Sequence, residues 1–223
     1  QESAAREGTT AQGASATAAA SAAAKPVRTP GPSDKIIRSW PTGRKWVALT
    51  YDDGPHPVHT PKLMELLKAK QVDATFFVVG PMVEKNPEVL KSLVENGFEI
   101  GNHTMTHPQF RRATPEKIRE ELEGVNRILQ EVAGIQPRVM RPPYGQAPKN
   151  VQDVTDELGL RIVTWSVDSE DWKGASVEQI KANIWKDLGD GGIILMHDTR
   201  GERVYTATEQ LIDEIRAKGY EFV

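Results

Sequence analysis

From Lys45 onward the chain alternates short β-rich runs with longer amphipathic stretches, and this alternation limits what it can fold into more than any other feature. Strands are expected at 46–51, 74–79, 98–102, 138–141, 161–167, 193–197 and 220–223. Helices are expected between them at 61–70, 87–96, 115–133, 150–158, 177–188 and 207–218. Several of these helices carry boundary signals. Thr114-Pro115 supplies a cap and a first-turn proline. Ser176 with Gln179, and Thr206 with Glu209, have capping-box spacing. Gly97, Gly134, Gly159 and Gly219 stand where helices should stop. Regular alternation calls for parallel strands joined by right-handed crossovers. The expected fold is α/β: a distorted, incomplete (β/α) barrel of about seven parallel strands, with an open doubly wound sheet as the alternative. In either, function belongs just past the C-terminal ends of the strands.

The first 34 residues differ. They are Ala, Ser, Thr and Gly ending in a proline-punctuated stretch, with almost no large apolar side chains to bury a face. This composition reads as a disordered linker over 1–34, preceding a catalytic domain over 35–223. Such a tether suits an envelope or secreted protein whose signal has been removed; a processing remnant is the plainer alternative. The net charge of −3 carries no polybasic footprint for nucleic acid, no apolar run is long enough to span a bilayer, and a monomer is expected. With no cysteine, a thiol nucleophile and a cysteine-ligated zinc site are excluded.

Polar clusters follow five of the expected strands. The first strand runs into Asp52-Asp53-Gly54-Pro55. Adjacent carboxylates on a continuing strand point to opposite faces; the Gly-Pro break allows both to turn toward one pocket, although alone the motif also reads as a surface turn. The third strand ends in His103-Thr104-Met105-Thr106-His107, whose imidazoles share a face if the segment takes a helical turn, a spacing that suits one zinc ion. The fourth ends in Arg141-Pro142-Pro143-Tyr144, held extended by its prolines. The fifth ends in Asp168-Ser169-Glu170-Asp171-Trp172, readable as a solvated loop or as a set of supporting acids. The sixth ends in His197-Asp198. Of five histidines, three directly follow strands, and His56 and His59 lie in the loop after the aspartate pair, where they are expected to be loop residues. Met105, Trp165 and Trp185 are expected to pack. Each cluster alone is a weak signal, but their joint placement at one end of one scaffold is not a chance arrangement.

In order, Thr50-Tyr51-Asp52-Asp53-Gly54-Pro55, His103-Thr104-Met105-Thr106-His107, Arg141-Pro142-Pro143-Tyr144, Asp168-Ser169-Glu170-Asp171-Trp172 and Leu195-Met196-His197 resemble the five motifs of the polysaccharide deacetylase family, the carbohydrate esterase group with the NodB homology domain. The one departure is Tyr51, where phenylalanine is commoner. The resemblance implies a divalent metal, zinc or a substitute such as cobalt, held by Asp53, His103 and His107. It implies Asp52 as general base oriented by Arg141, and His197 as general acid held by Asp171. It also implies that Trp172 and Leu195 line the pocket, and that the Tyr144 N–H serves the oxyanion. The implied reaction removes N-acetyl groups from an N-acetylglucosamine-containing glycan, chitin-type or peptidoglycan. An acetyl-xylan esterase and a non-catalytic glycan-binding domain are the rivals.

Overall fold

The computed structural model describes residues 35–223, so the linker expected over 1–34 lies outside the described residues. Every expected strand forms, to within a residue at either end, except that the 161–167 run is broken. The strands are β1 (Ile36–Ile37), β2 (Trp46–Asp52), β3 (Ala74–Val78), β4 (Glu99–Asn102), β5 (Val139–Met140), β6 (Arg161–Val163), β7 (Val167–Asp168), β8 (Gly192–His197) and β9 (Glu221–Phe222). They make one sheet ordered β1-β6-β5-β4-β3-β2-β8-β7, with β9 added to β2. All the paired strands run parallel, as crossover connections require. The barrel is incomplete: β6 and β7 lie near opposite ends of the strand order. Between them Thr164, Trp165 and Ser166 leave the ladder, with Thr164 N–H donating to the Ile37 carbonyl and Ser166 N–H to that of Ile193. The expected single strand therefore divides because its middle spans the seam between the two edges.

The helices are α1 (His59–Lys70), α2 (Gly80–Lys85), α3 (Pro87–Glu95), α4 (Pro115–Ala133), α5 (Lys149–Glu157), α6 (Val177–Asp187) and α7 (Glu202–Ala217). In α6 both halves of the Ser176–Gln179 capping box are made, and α4 ends on left-handed Gly134. The capping box expected at Thr206–Glu209 does not form, because α7 starts four residues before Thr206, directly after Gly201. Its buried face of Val204, Ala207, Thr208, Leu211, Ile212 and Ile215 keeps helical spacing from the first turn, so the apolar stripe sets the start. Short α2 was not expected, since Gly80-Pro81 reads as a breaker; the proline occupies the first turn, where its missing N–H costs nothing.

One apolar cluster fills the space between sheet and helices, built on Val47, Leu49, Tyr51, Phe76, Val78, Ile100, Ile194 and Met196. Met105 and Trp185 pack against it. A second cluster around Phe110, Ile118, Leu122, Met140, Val151 and Ile162 anchors α4 and α5 over β5 and β6. The strand ends that carry the polar motifs are thus fixed from behind by buried side chains. Among the described residues no helix is long and apolar enough to cross a membrane.

Candidate metal and catalytic site

β2 ends at Asp52, and the next residue, Asp53, turns into the left-handed region (φ 75). That conformation is accessible to aspartate at modest cost, and it breaks the alternation that would send the two carboxylates to opposite faces. Both now approach the same imidazole. His103 Nε2 lies 3.6 Å from Asp52 Oδ2 and 3.7 Å from Asp53 Oδ1. His107 Nε2 also stands 3.7 Å from Asp53 Oδ1.

The two histidines do not meet through a helical turn. The segment after β4 is irregular, and Thr104 (φ 72) and His107 (φ 54) are both left-handed. Side chains from elsewhere hold this loop. Asn102 accepts the Thr104 N–H (2.8 Å) and donates to Asn126 Oδ1 (2.7 Å) and the Leu122 carbonyl. Glu121, 1% exposed on α4, takes both the N–H and the hydroxyl of Thr106 at 2.7 Å. The result puts the His103 and His107 rings 4.9 Å apart, edge to face. The Arg141 carbonyl, 2.7 Å from His103 Nδ1, accepts that N–H and so leaves the Nε2 lone pair facing the carboxylates. His107 is pulled below its usual range, first by burial and then by neighbouring His103, against the opposing charges of Asp53 and Asp52. It is therefore a neutral imidazole with a lone pair to give.

Asp53, His103 and His107 each offer one ligand atom, and these atoms lie within 4.8 Å of one another. Around a tetrahedral ion with bonds near 2.1 Å, neighbouring donors stand roughly 3.4 Å apart. Separations of 3.7 Å are too long for hydrogen bonds and close to that value. Two imidazoles and a carboxylate are also the donor chemistry of a zinc-type site, so the residues present fit a small divalent cation.

Arg141 organises the opposite wall. It is fully buried (0% exposed), and every face of its guanidinium is used. Nη1 donates to Asp52 Oδ1 (2.7 Å) and Thr50 Oγ1 (2.8 Å), Nη2 to the Thr164 carbonyl (2.9 Å) and Nε to that of Val163 (3.3 Å). The last two carbonyls are freed where the β6–β7 break leaves the ladder, so the seam of the barrel and the fixing of Asp52 are one device. The Phe77 ring lies 4.2 Å from the guanidinium carbon. Phe77 takes that position because β4 carries Gly101 opposite it; a Cβ there would overlap the ring. Trp165, expected in the core, is instead half-buried beside the Arg141 guanidinium (5.7 Å) and against Gly145.

The remaining motifs close the site. After Pro142 the chain turns at left-handed Tyr144 (φ 58), whose ring is 57% exposed and packs edge to face on His107 at 4.9 Å. Among the described residues its N–H donates to no backbone carbonyl. Asp171, 1% exposed, grips His197 twice, accepting the backbone N–H at Oδ2 (2.8 Å) and meeting Nδ1 at Oδ1 (2.7 Å). Burial alone would lower the His197 pKa, but the Asp171 hydrogen bond and the charges of Asp171, Asp52 and Asp53 outweigh it, and His197 stands above its usual range. Trp172 is 46% exposed, with Nε1 3.4 Å from Asp168 Oδ1. Leu195, by contrast, is 3% exposed, a β8 residue paired in register with Thr50 and Asp168.

His56 and His59 stay out of the cluster. The His56 Nδ1 accepts the N–H groups of Val58 (3.1 Å) and His59 (3.2 Å) at the start of α1, and the two rings stack at 4.2 Å. Sequence reasoning did not assign Thr50, Asn102, Glu121 or Asp198. Glu121 carried a readable signal: with Ile118, Leu122 and Val125 it lies on the apolar stripe of α4. Asp198 lies beneath the Asp52–Gly54 turn: it accepts from the Thr60 hydroxyl, which itself receives the His56 N–H (2.7 Å), and its second oxygen is buried with no partner. A Cβ at Gly54 would overlap the Asp198 carboxylate, so the aspartate turn closes only over glycine.

Comparison with known proteins shows which sequences and folds the chain is similar to. The sequence model of the polysaccharide deacetylase family matches residues 40–163. A peptidoglycan-N-acetylglucosamine deacetylase of Bacillus cereus is 38% identical over 188 residues, covering 83% of this chain and 68% of its own length. A chitooligosaccharide deacetylase of a Bradyrhizobium species is 34% identical, covering 81% of this chain and 89% of its own. Among solved structures, a peptidoglycan N-acetylglucosamine deacetylase crystallised with an N-oxidanyl-benzamide compound superposes with a TM-score of 0.81 at 36% identity, over 85% of this chain and 90% of that one.

Proposed function

The chain belongs to the polysaccharide deacetylase family, and from that premise we propose that residues 35–223 form a zinc-dependent domain that hydrolyses the acetamide of N-acetylglucosamine units in a glycan, acting outside the cell or in its envelope. The observation that carries this reading is the convergence of Asp53, His103 and His107 on one point, with a hydrogen-bonded aspartate on one side and a carboxylate-held histidine on the other.

Asp53, His103 and His107 would hold the cation. When bound, it supplies a Lewis acid that polarises the acetamide carbonyl and acidifies a water. The protein's own groups supply the rest. Arg141 ties Asp52 Oδ1 into the wall, leaving Oδ2, on the side of His103, to take the proton from the attacking water. Tyr144 turns its free N–H toward the role of oxyanion donor, where charge develops on the acetyl oxygen. Asp171 holds His197 by Nδ1 and favours its protonated form, so Nε2 gives a proton to the departing amine. An amide needs that proton more than an ester does, and the tightly held, raised-pKa imidazole favours N-acetyl over O-acetyl substrates. Trp172 and Tyr144, both exposed, offer faces for the sugar, and Leu195 backs the acetyl methyl.

Zinc content measured together with acetate release from N-acetylglucosamine oligomers tests the reading. The wild type should hold one zinc per chain and lose activity on chelation. Asp52→Asn should keep its zinc and lose about 100-fold or more of turnover. Full activity in that variant removes Asp52 as the base, and full activity in the chelated protein removes the metal from the mechanism.

A further inference from the structure

Among the glutamates of α4, one is placed unlike the rest. Glu116, Glu120, Glu123 and Glu131 are exposed, whereas Glu121 is 1% exposed and shares the buried side of the helix with Ile118, Leu122 and Val125. A carboxylate on an apolar stripe is costly, and an apolar side chain of similar size would pack there without that cost. A local ion pair does not account for it. Lys117 stands 3.1 Å from Glu121 Oε1 but equally 3.1 Å from Glu120 on the exposed side, so the lysine has an acidic partner without Glu121.

What Glu121 reaches is Thr106, in the loop between the two histidines. The Thr106 N–H donates to Oε2 and its hydroxyl to Oε1, each at 2.7 Å. Thr106 is itself exposed, so water can replace both partners, and the fold gains little from these bonds. Its place in the chain matters more. Thr106 directly precedes His107 and follows His103 by three residues. Thr104 (φ 72) and His107 (φ 54) are left-handed, a conformation that such residues keep only where their surroundings impose it. Asn102 holds the first by accepting the Thr104 N–H at 2.8 Å. Glu121 holds the second through the amide that precedes it. Burial alone would raise the Glu121 carboxyl, but the two Thr106 bonds and Lys117 keep it below its usual range, so both oxygens accept.

We infer that Glu121 is a positioning residue for the metal ligands: its carboxylate fixes the Thr106 amide so that His107 stays beside His103 and Asp53, and it serves metal affinity and not the stability of the fold. The proposal rests on the metal-dependent reading of the site and adds to it a residue outside the five motifs. A loop already held in ligating shape spends none of the binding energy of the ion on ordering itself.

The test replaces Glu121 in the full chain by methionine, which keeps the volume and removes both acceptors, and by glutamine, which keeps the bonds. In Glu121→Gln the amide oxygen takes the Thr106 N–H, and the Thr106 hydroxyl turns to accept from the amide nitrogen. Competition with a chromophoric chelator reads the zinc affinity. Glu121→Met should bind zinc about 10- to 100-fold more weakly than wild type, and Glu121→Gln should recover most of that loss. Without metal, both variants should unfold at denaturant concentrations no lower than wild type. Amide exchange at Thr106 and His107 should quicken in metal-free Glu121→Met while the amides of α4 stay protected. Equal zinc Kd values for wild type and Glu121→Met overturn the proposal. A Glu121→Gln chain as weak as Glu121→Met also overturns it, because charge and not position would then set the affinity. So does a metal-free Glu121→Met chain that is unfolded or less stable than wild type, because the carboxylate then serves the fold. A wild type that binds no zinc fails the metal reading instead, and exchange alone then decides Glu121: unchanged rates at Thr106 and His107 show that it does not hold the loop.

Discussion

The site holds two kinds of histidine–carboxylate pairing, and their difference lies in about 1 Å. At His197 the gap to Asp171 is 2.7 Å, closed by a hydrogen bond. At His103 and His107 the gaps to Asp53 are 3.7 Å, too wide for a hydrogen bond and wide enough for a small cation between the donors. The electrostatics follow the spacing. Asp171 holds His197 above its usual range despite burial, whereas burial and a second imidazole hold His107 below it. One imidazole is prepared to carry a proton, the other to give a lone pair. In the proposed mechanism the same residue types serve as an acid or as a ligand according to where the backbone sets them.

Replacing one histidine from each pair should give opposite signatures, and this is the largest effect expected. His103→Ala should lose zinc and turnover together. His197→Ala should retain zinc and lose turnover by about 100- to 10,000-fold. Zinc analysis with acetate release separates the two, and stoichiometric zinc in His103→Ala would place the ligands elsewhere. A smaller change sharpens the contrast. Asp171→Asn removes the charge that raises His197, so its protonated fraction falls at lower pH. The alkaline limb of the kcat profile should then move to lower pH, with a loss of about 10-fold or more near neutrality. An unmoved limb would show that His197 is not the acid.

Much of this was legible in the sequence, and the rest failed for identifiable reasons. Period and punctuation placed β2, β3, β4 and α4 because those elements bury one face against the core and end at proline, glycine or a cap. The motifs fell at strand ends because that is where a parallel sheet presents side chains. Loop shape was not legible. The spacing of His103 and His107 suggested a helical turn, yet two left-handed residues do the work, held by Glu121 and Asn102 through hydrogen bonds. Such long-range side-chain-to-backbone bonds leave no periodic trace. Nor could the run from Arg161 to Val167 reveal its break, since its middle spans the seam between the two sheet edges, where Arg141 takes the Val163 and Thr164 carbonyls.

Asp198 provides the finest probe of how the two pairings share one electrostatic field. Burial pushes its carboxyl up from 3.8 to about 7; the Thr60 hydrogen bond opposes this, and the charges of Asp53 and Asp52 add to it. A carboxyl raised in the folded state stabilises the fold fully below its unfolded value and loses that contribution as pH rises toward the folded one. In chelated protein the wild type should therefore weaken relative to Asp198→Asn, which cannot ionise, as pH rises from about 4 to about 7. The relative change should be about 3 kcal/mol in denaturant unfolding. A cation held by Asp53 offsets the negative charge that raises Asp198, so zinc should shrink this difference. Parallel stability curves for the two proteins across that window would show that Asp198 does not titrate in the fold. A difference unaltered by zinc would separate Asp198 from the field of the metal ligands.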